Sequence, residues 1–480
     1  MSPTHSPVAV VILAAGSGTR MKSPQPKVLH SVLGETLLGH VLSAVTAIDS
    51  SQVVVVVGHG RDEVVDYLAH TWPDVSTVVQ EHQNGTGHAV SVALEANPEL
   101  AQGTVVVLSG DAPLITTEDI SALVSAAQGN GAAVLTATVS DPHGYGRIVR
   151  NDDGSVCCIV EEKDATPEQR TISEVNSGAY AFNGAVLHSA LGALKAHNAQ
   201  GELYLTDVIE IAQTSGHSVS ATVTVEANIL GVNDRRQLAH AGAMLRTRIN
   251  DAHMVAGVTI VDPTTTWIDR KVTIESDATI LPNVQLLGRT HLAAGSVIGP
   301  DSTLHDTTVL AGAHVVRTTA YEAVIGVNAS VGPYTYLRPG TILGEGSKAG
   351  GFVEMKNAQL GADAKVPHLS YVGDATIGEG TNIGAATIFV NYDGVEKHHT
   401  TIGKQVRIGS DTMLIAPVTV GDGAYTAAGS VITDDVPAGS MGVGRARQRN
   451  IVDWVLRRRP GSKSALAALA DSSQTGKEGA

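Results

Sequence analysis

The chain has 480 residues, too many for one ordinary core, and its length points to two or three domains. A formal net charge of −15 argues against a long nucleic-acid backbone as partner, and the one dense basic run, Arg457-Arg458-Arg459, reads as a solvated face. The only cysteines, Cys157 and Cys158, are neighbours that rarely reach disulfide geometry and suit a reducing compartment.

No basic n-region precedes the short apolar run Val8–Ala15, and nothing later is long enough to span a membrane, so a soluble cytoplasmic protein is expected. Aromatic residues make up 3% against 51 glycines, which suggests a core of thin aliphatic layers and therefore repeats.

In chain order, the first half alternates β-branched runs with amphipathic stretches. Strands are predicted at Val8–Leu13, Gln52–Val57, Ser76–Gln80, Thr104–Leu108 and Ala133–Val139. Helices are predicted at Leu37–Ile48, Arg61–His70, Ala89–Glu95 and Thr117–Ala127. Such alternation implies a Rossmann-like α/β domain, with a mainly parallel sheet and its ligands beyond the carboxyl ends of the strands. From Asp234 to Met254 the period is helical without a neighbouring strand, as in a connecting helix.

Beyond it, aliphatic residues recur every six positions: Ile268, Ile274, Ile280, Leu286, Leu292, Ile298, Leu304, Leu310 and Val316. The register resumes at Ile325, Val331, Leu337 and Leu343, and again from Ile402 to Ile432. A short strand and a corner, repeated, stack into a parallel β-helix of hexapeptide repeats. Interruptions between Val316 and Ile325, around Ala349–Leu360 and from Gly384 to Thr401 are expected to be loops, where sites collect. The resulting domains are 1–233, a connecting helix at 234–256, a β-helix at 257–459, and a tail at 460–480 expected to be disordered.

The first strand runs into Ala14-Ala15-Gly16-Ser17-Gly18-Thr19-Arg20-Met21, with Lys27 nearby. Small residues after a strand let backbone N–H groups approach phosphate, and two cations suit a polyphosphate under attack. The segment is neither a Walker A loop nor a dinucleotide fingerprint, and a tight turn is the competing reading. Asp111, in Ser109-Gly110-Asp111-Ala112-Pro113, stands at a strand tip suited to Mg²⁺, although a turn aspartate looks the same. Asn233 alone reads as a helix N-cap. In the second half, His368 is a candidate base for acyl transfer to an amine, against the plainer reading of a solvated histidine.

Taken in order, Leu13-Ala-Ala-Gly-Ser-Gly-Thr-Arg-Met, Gln80…Gly85-Thr86-Gly87-His88-Ala89, Gly110-Asp111-Ala-Pro-Leu, Tyr145-Gly146-Arg147-Ile148, Glu161-Glu162-Lys163-Asp164-Ala165 and Asn176-Ser177-Gly178 form a family signature. Together they closely resemble the bacterial bifunctional UDP-N-acetylglucosamine pyrophosphorylase/glucosamine-1-phosphate N-acetyltransferase family, from about Val8 to about Trp454. The resemblance implies UTP binding by Leu13, Ala14, Ala15, Gly16 and Lys27, with Ser109 also in that pocket and Arg20 assisting at the phosphates. It implies uracil recognition by Gln80, Gly85 and Thr86, sugar binding by Gly146, Glu161 and Asn176, and Mg²⁺ binding by Asp111 and Asn233.

Phe352-Val353-Glu354-Met355-Lys356-Asn357, the His368…Tyr371 segment and Asn391-Tyr392-Asp393-Gly394 resemble the acetyltransferase half. There His368 is implied as general base, with Arg338, Lys356, Tyr371, Asn382, Asn391 and Lys397 holding glucosamine 1-phosphate. Ala385, Asn391, Tyr392, Ser410, Ala428 and Arg445 are implied to line an acetyl-CoA groove. The family's β-helix is left-handed and trimeric, with acetyltransferase sites between subunits. Two departures are visible: Ala385-Ala386-Thr387-Ile388-Phe389-Val390 replaces the commoner Ala-Gly-Thr-Ile-Thr-Cys, and Arg445-Ala-Arg447-Gln-Arg449 is unusually basic.

The alternative within the enzyme class is a nucleotidyltransferase for another sugar 1-phosphate with an inert β-helix, against which the intact His368, Lys356 and Asn391-Tyr392 set argues. A non-catalytic assembly subunit of the same architecture is expected to lose Arg20, Lys27 or Asp111, and all three are present. Nucleic-acid and membrane partners are not expected.

Overall fold

A computed structural model describes residues 7–475, and the chain divides into two compact units, Met1–Asn328 and Ala329–Ala480. In the first unit, seven strands lie in the order Val219–Val223, Ala132–Thr138, Glu174–Asn183, Thr104–Ser109, Val8–Ala14, Gln52–Val57 and Ser76–Val79. All pairings are parallel except those of Glu174–Asn183, which runs antiparallel to both neighbours.

The strands read as unbroken aliphatic runs because both faces are covered. Val10, Ile12 and Val55 pack under the helices Leu37–Val45, Arg61–Thr71 and Thr117–Ala127. Val11, Val54 and Val105 pack under Thr86–Ala96, Gly184–Leu191 and Asp207–Thr214. The antiparallel strand was not anticipated, nor was the hairpin Arg147–Arg150/Val156–Val160 that joins it through Val175 and Arg147. Their glycine-rich and charged flanks conceal the strand period.

The connecting helix spans Arg235–Val255, and its N-cap is Asp234, whose carboxylate accepts the N–H groups of Arg236 and Gln237. Asn233 is therefore not the cap. Ala241 and Leu245 bury against Leu33, Leu37, Leu114 and Val232, at the base of the Asp111 loop. Arg246 lies over Trp267 at 4.8 Å.

From Thr259 the chain winds into a left-handed parallel β-helix of hexapeptide repeats, with coils in both units. Eighteen residues separate stacked partners such as Ile268 and Leu286, or Leu286 and Leu304. The expected register fails at Leu310 and Val316. A five-residue step after Leu304 brings Val309 and Val315 inward instead, both fully buried, and Leu310 and Val316 are partly exposed.

The interruptions expected at Val316–Ile325 and Ala349–Leu360 are likewise no loops. The first coil is two residues shorter than the repeat, with Leu304 stacking on Ala320, and the second is one shorter, with Leu343 stacking on Leu360; Ala320, Ile325, Met355 and Leu360 are all buried. Only the third is an insertion: Ile377 stacks on Ile402 twenty-five residues later, and the excess is the exposed segment 392–399.

The tail expected to be disordered carries a helix, Lys463–Thr475, with Ala465 buried, as its Ala- and Leu-rich sequence favours. Residues 476–480 lie outside the described part. Among the described residues no helix is long and apolar enough to cross a membrane.

The departure at 385–390 has a structural reading. Phe389 is fully buried inside the prism, and Ala386 holds φ 59°, a conformation that suits the glycine commoner in the family. Phe389→Ala is expected to destabilise by about 3–5 kcal/mol. Ala386→Gly is expected to stabilise by up to about 1 kcal/mol. Denaturant midpoints of the two variants, moving in opposite directions, are the check.

Candidate active sites

In the first unit, three segments distant in sequence meet beyond the carboxyl ends of the central strands. The ammonium of Lys27 contacts Asp111 Oδ2 and lies 3.0 Å from Asn233 Oδ1. Asp111 follows the strand Thr104–Ser109, and its carbonyl accepts the N–H of Val232 at 2.9 Å, which ties the Asn233 segment to the same loop. Gly18 is required behind Lys27: its φ is 57°, and a side chain there would stand 2.6 Å from Lys27 Cβ.

Two oxygen donors thus converge on one cation, the chemistry a hard divalent ion needs when substrate phosphates and water complete its shell. No cluster of three or more His, Cys, Asp or Glu suited to a metal occurs among the described residues, so a metal here would depend on such outside ligands.

The remaining first-loop residues form the rim. The carbonyl of Leu13 accepts the N–H of Gly110 at 2.9 Å, and Ala14 is buried. The carbonyl of Ala15 accepts from Gln83 Nε2 at 2.6 Å, and a side chain at Gly16 would meet nothing within 4 Å. Arg20, in the turn Thr19–Met21, is exposed and makes no ion pair with the described residues.

Gln80 is buried, donating to the Gly85 carbonyl at 3.2 Å and lying 2.9 Å from His88 Nδ1. Thr86 Oγ1 accepts the N–H of Leu205, so the segment Leu203–Leu205 braces this loop. Sequence reasoning missed that segment, because its role is carried by backbone groups.

Gly146, Glu161 and Asn176 also come together. A side chain at Gly146 would stand 3.5 Å from both Glu161 Oε2 and Asn176 Cβ, and the Gly146 carbonyl accepts the N–H of Asn176 at 2.9 Å. Burial pushes the Glu161 carboxyl above the usual range; a hydrogen bond from Thr206 at 3.3 Å opposes this, while Asp207 and Asp164 add to it. Thr206 was also missed. Beneath this trio, buried Arg147 bonds Tyr145 O and Glu162. Ser109 Oγ lies 3.4 Å from where a Gly178 side chain would begin, so it joins the sugar side to the Asp111 loop.

In the second unit the predicted residues fall at two corners of the prism. Lys356, Lys397 and Arg338 gather at one. Contact with Lys397, followed by the charges of Lys397 and Arg338, lowers the Lys356 pKa, a repulsion an anion would relieve. Arg338 pairs with Glu354 at 2.8 Å, and a side chain at Gly373 would collide with Tyr371 Oη and Asn391 Nδ2.

Asp374, which the sequence did not single out, anchors this corner by accepting from Asn357 Nδ2 at 2.7 Å and from Asn391 Nδ2. Partial burial raises its pKa, but those bonds and the charges of Lys397 and Lys356 outweigh burial and leave it lowered. The exposed Tyr392 begins the inserted segment at the same corner, and its hydroxyl donates to Gly394 O at 2.7 Å.

The other corner is a column of successive coils. The His368 carbonyl accepts the N–H of Ala386, the Ala385 carbonyl that of Asp411, and the Ser410 carbonyl that of Gly429. His368, Ala385, Ser410 and Ala428 therefore stack along one edge; His368, Ser410 and Ala428 are exposed and Ala385 partly so. Arg445 Cδ lies 3.8 Å from where a Gly429 side chain would begin. Asn382 does not join the cation cluster: it sits on another face, in line with Lys365 and Arg407. Asn391 and Tyr392 likewise lie away from the Ala385–Ser410–Ala428 column.

Residues 10–203 match the MobA-like NTP transferase domain and residues 399–434 the bacterial transferase hexapeptide (six repeats). Bifunctional protein GlmU of Streptomyces coelicolor is 57% identical over 470 residues, covering 97% of this chain and 98% of that protein. The same protein of Corynebacterium aurimucosum is 56% identical, covering 96% of each chain. That of Corynebacterium diphtheriae is 54% identical over the whole of both. A Lys27–Asp111–Asn233 cluster in one unit, a histidine-edged hexapeptide prism in the other and full-length identity above one half agree: the chain belongs to the GlmU family of bifunctional enzymes, which carry uridylyltransferase and glucosamine-1-phosphate acetyltransferase activities.

Proposed function

We propose that the chain makes UDP-N-acetylglucosamine in two steps at two separate sites, and that it does so in the cytoplasm as a homotrimer. The second unit acetylates glucosamine 1-phosphate with acetyl-CoA. The first transfers UMP from UTP to N-acetylglucosamine 1-phosphate. The observation that carries the uridylyl step is the convergence of Asp111 and Asn233 on the Lys27 ammonium.

In that step a phosphate oxygen of the sugar 1-phosphate attacks the α-phosphorus of UTP, the bond to the bridging oxygen breaks, and pyrophosphate leaves. Lys27 and Arg20 neutralise the phosphates. Leu13, Ala14, Ala15 and Gly16 present backbone, and Ser109 lines the same pocket. Gln80, Gly85 and Thr86 read the base; Gly146, Glu161 and Asn176 hold the sugar. Asp111 and Asn233 would hold Mg²⁺, whose contribution is to neutralise charge on the phosphates. Positioning and charge account for the rate without a covalent intermediate.

In the acetyl step the sugar amine attacks the thioester carbonyl, His368 takes the amine proton, and the C–S bond breaks to release CoA. Arg338, Lys356 and Lys397 bind the sugar phosphate, with Tyr371, Asn382 and Asn391 orienting the ring. Acetyl-CoA lies along Ala385, Ser410 and Ala428, with Asn391 and Tyr392 closing the groove and Arg445 at the CoA phosphates. The separation of Asn382 and Tyr392 from their partners within one chain supports sites shared between copies.

With all substrates supplied, including N-acetylglucosamine 1-phosphate, His368→Ala is expected to abolish thiol release and leave pyrophosphate release intact. Asp111→Ala should do the converse. Loss of both activities in either folded variant would refute the division. EDTA is expected to stop pyrophosphate release while thiol release continues, and added Mg²⁺ to restore it. Because the Glu161 carboxyl is raised, it protonates at less acid pH than an ordinary glutamate. Binding of UDP-N-acetylglucosamine, followed by calorimetry, should therefore weaken as pH falls through that raised value, and Glu161→Gln should flatten the profile.

A further inference from the structure

The strand Glu174–Asn183 slips its pairing with Ala132–Thr138 between Asn176 and Tyr180, a β-bulge centred on Ser177-Gly178-Ala179. In a regular strand, residues four apart stand about 13 Å from each other. The bulge closes that gap: Asn176 Nδ2 donates to Tyr180 Oη at 2.6 Å, and Asn176 Oδ1 accepts the N–H of Gly178 at 3.1 Å. Gly178 has φ 80°, a conformation that excludes most side chains. Both ends of the Asn176 amide are thus held, and the amide cannot rotate to exchange its oxygen and nitrogen.

Tyr180 is itself immobile. It is 3% exposed and its ring stacks on Phe182 with centroids 5.5 Å apart. Burial, followed by the Glu161 charge, holds its hydroxyl above the ordinary range, so it stays protonated at any working pH.

Resting on the proposal that Asn176 holds the sugar, we infer that Tyr180 is a positioning residue for the uridylyl step: through the bulge it fixes the Asn176 carboxamide in the single orientation that faces the sugar 1-phosphate. Neither the motif match nor residue spacing pointed to Tyr180, because on an unbulged strand it would be out of reach.

The test compares Tyr180→Phe, Asn176→Ala and Phe182→Leu in the full chain, reading KM for each substrate, kcat, thermal melting and acetyl transfer. Removing one hydroxyl is expected to raise KM for N-acetylglucosamine 1-phosphate about fivefold to tenfold, with the KM for UTP and the rate of acetyl transfer unchanged. Asn176→Ala should raise the same KM at least as far. Phe182→Leu, which loosens the stack without touching the amide, should lower the melting temperature and leave that KM within about twofold. A Tyr180→Phe enzyme with unchanged sugar KM, beside an impaired Asn176→Ala, would overturn the inference while sparing the site. An unimpaired Asn176→Ala would overturn both. Equal KM increases in Tyr180→Phe and Phe182→Leu would reduce Tyr180 to a packing residue and also overturn it.

Discussion

The first unit is organised around one electrostatic requirement: an ammonium and two oxygen donors must be brought to the same point from three places in the chain. Lys27 arrives from the loop after the first strand, Asp111 from the end of its neighbour, and Asn233 from the residue before the N-cap of the connecting helix. A parallel sheet achieves this because its carboxyl ends all open on one side. The connecting helix completes the arrangement. It buries Leu245 and Ala241 against Leu114 and Val232, and Arg248 donates to the Leu114 carbonyl at 2.6 Å, so the loop carrying Asp111 is held from behind.

The β-helix works under a different constraint. Its interior is narrow, filled chiefly by aliphatic residues with threonines and serines such as Thr290, Thr341 and Thr387 also buried, while most charged side chains turn outward. Chemistry therefore gathers at the corners. One carries the mutually repelling cations Lys356, Lys397 and Arg338, steadied by Asp374; the other carries His368 above a run of small residues. Alanine and serine along that edge leave its backbone accessible.

Much of this was legible from residue order. The strands Val8–Ala14, Gln52–Val57 and Thr104–Ser109 were legible within a residue from their β-branched runs, and the helix Thr117–Ala127 from its amphipathic pattern. The six-residue period gave the prism. It misplaced Leu310 and Val316 because a coil can drop one residue at a corner and keep its layer, something a fixed period cannot express. The antiparallel strand was hidden because Asn176-Ser177-Gly178 interrupts its apolar run, where the structure has a bulge inside a strand. Asp374 and Thr206 carried no local signal: each matters for what distant residues bring to it. Asn233 was recoverable only through family likeness, since spacing alone pointed to capping, a task that Asp234 performs.

Stacking coil on coil has a thermodynamic corollary. Among the described coils of residues 329–442 each layer bonds to the one before and the one after, so cohesion accumulates as a sum of neighbour terms and not through one global core. Such a column frays from its ends. The coils bearing Ser410 and Ala428 lie toward the C-terminal end, while the Lys27–Asp111–Asn233 cluster shares no residue with them. Progressive damage from that end would therefore silence the chemistry of the prism first, and a chain that has lost half its repertoire would still resemble an intact nucleotidyltransferase.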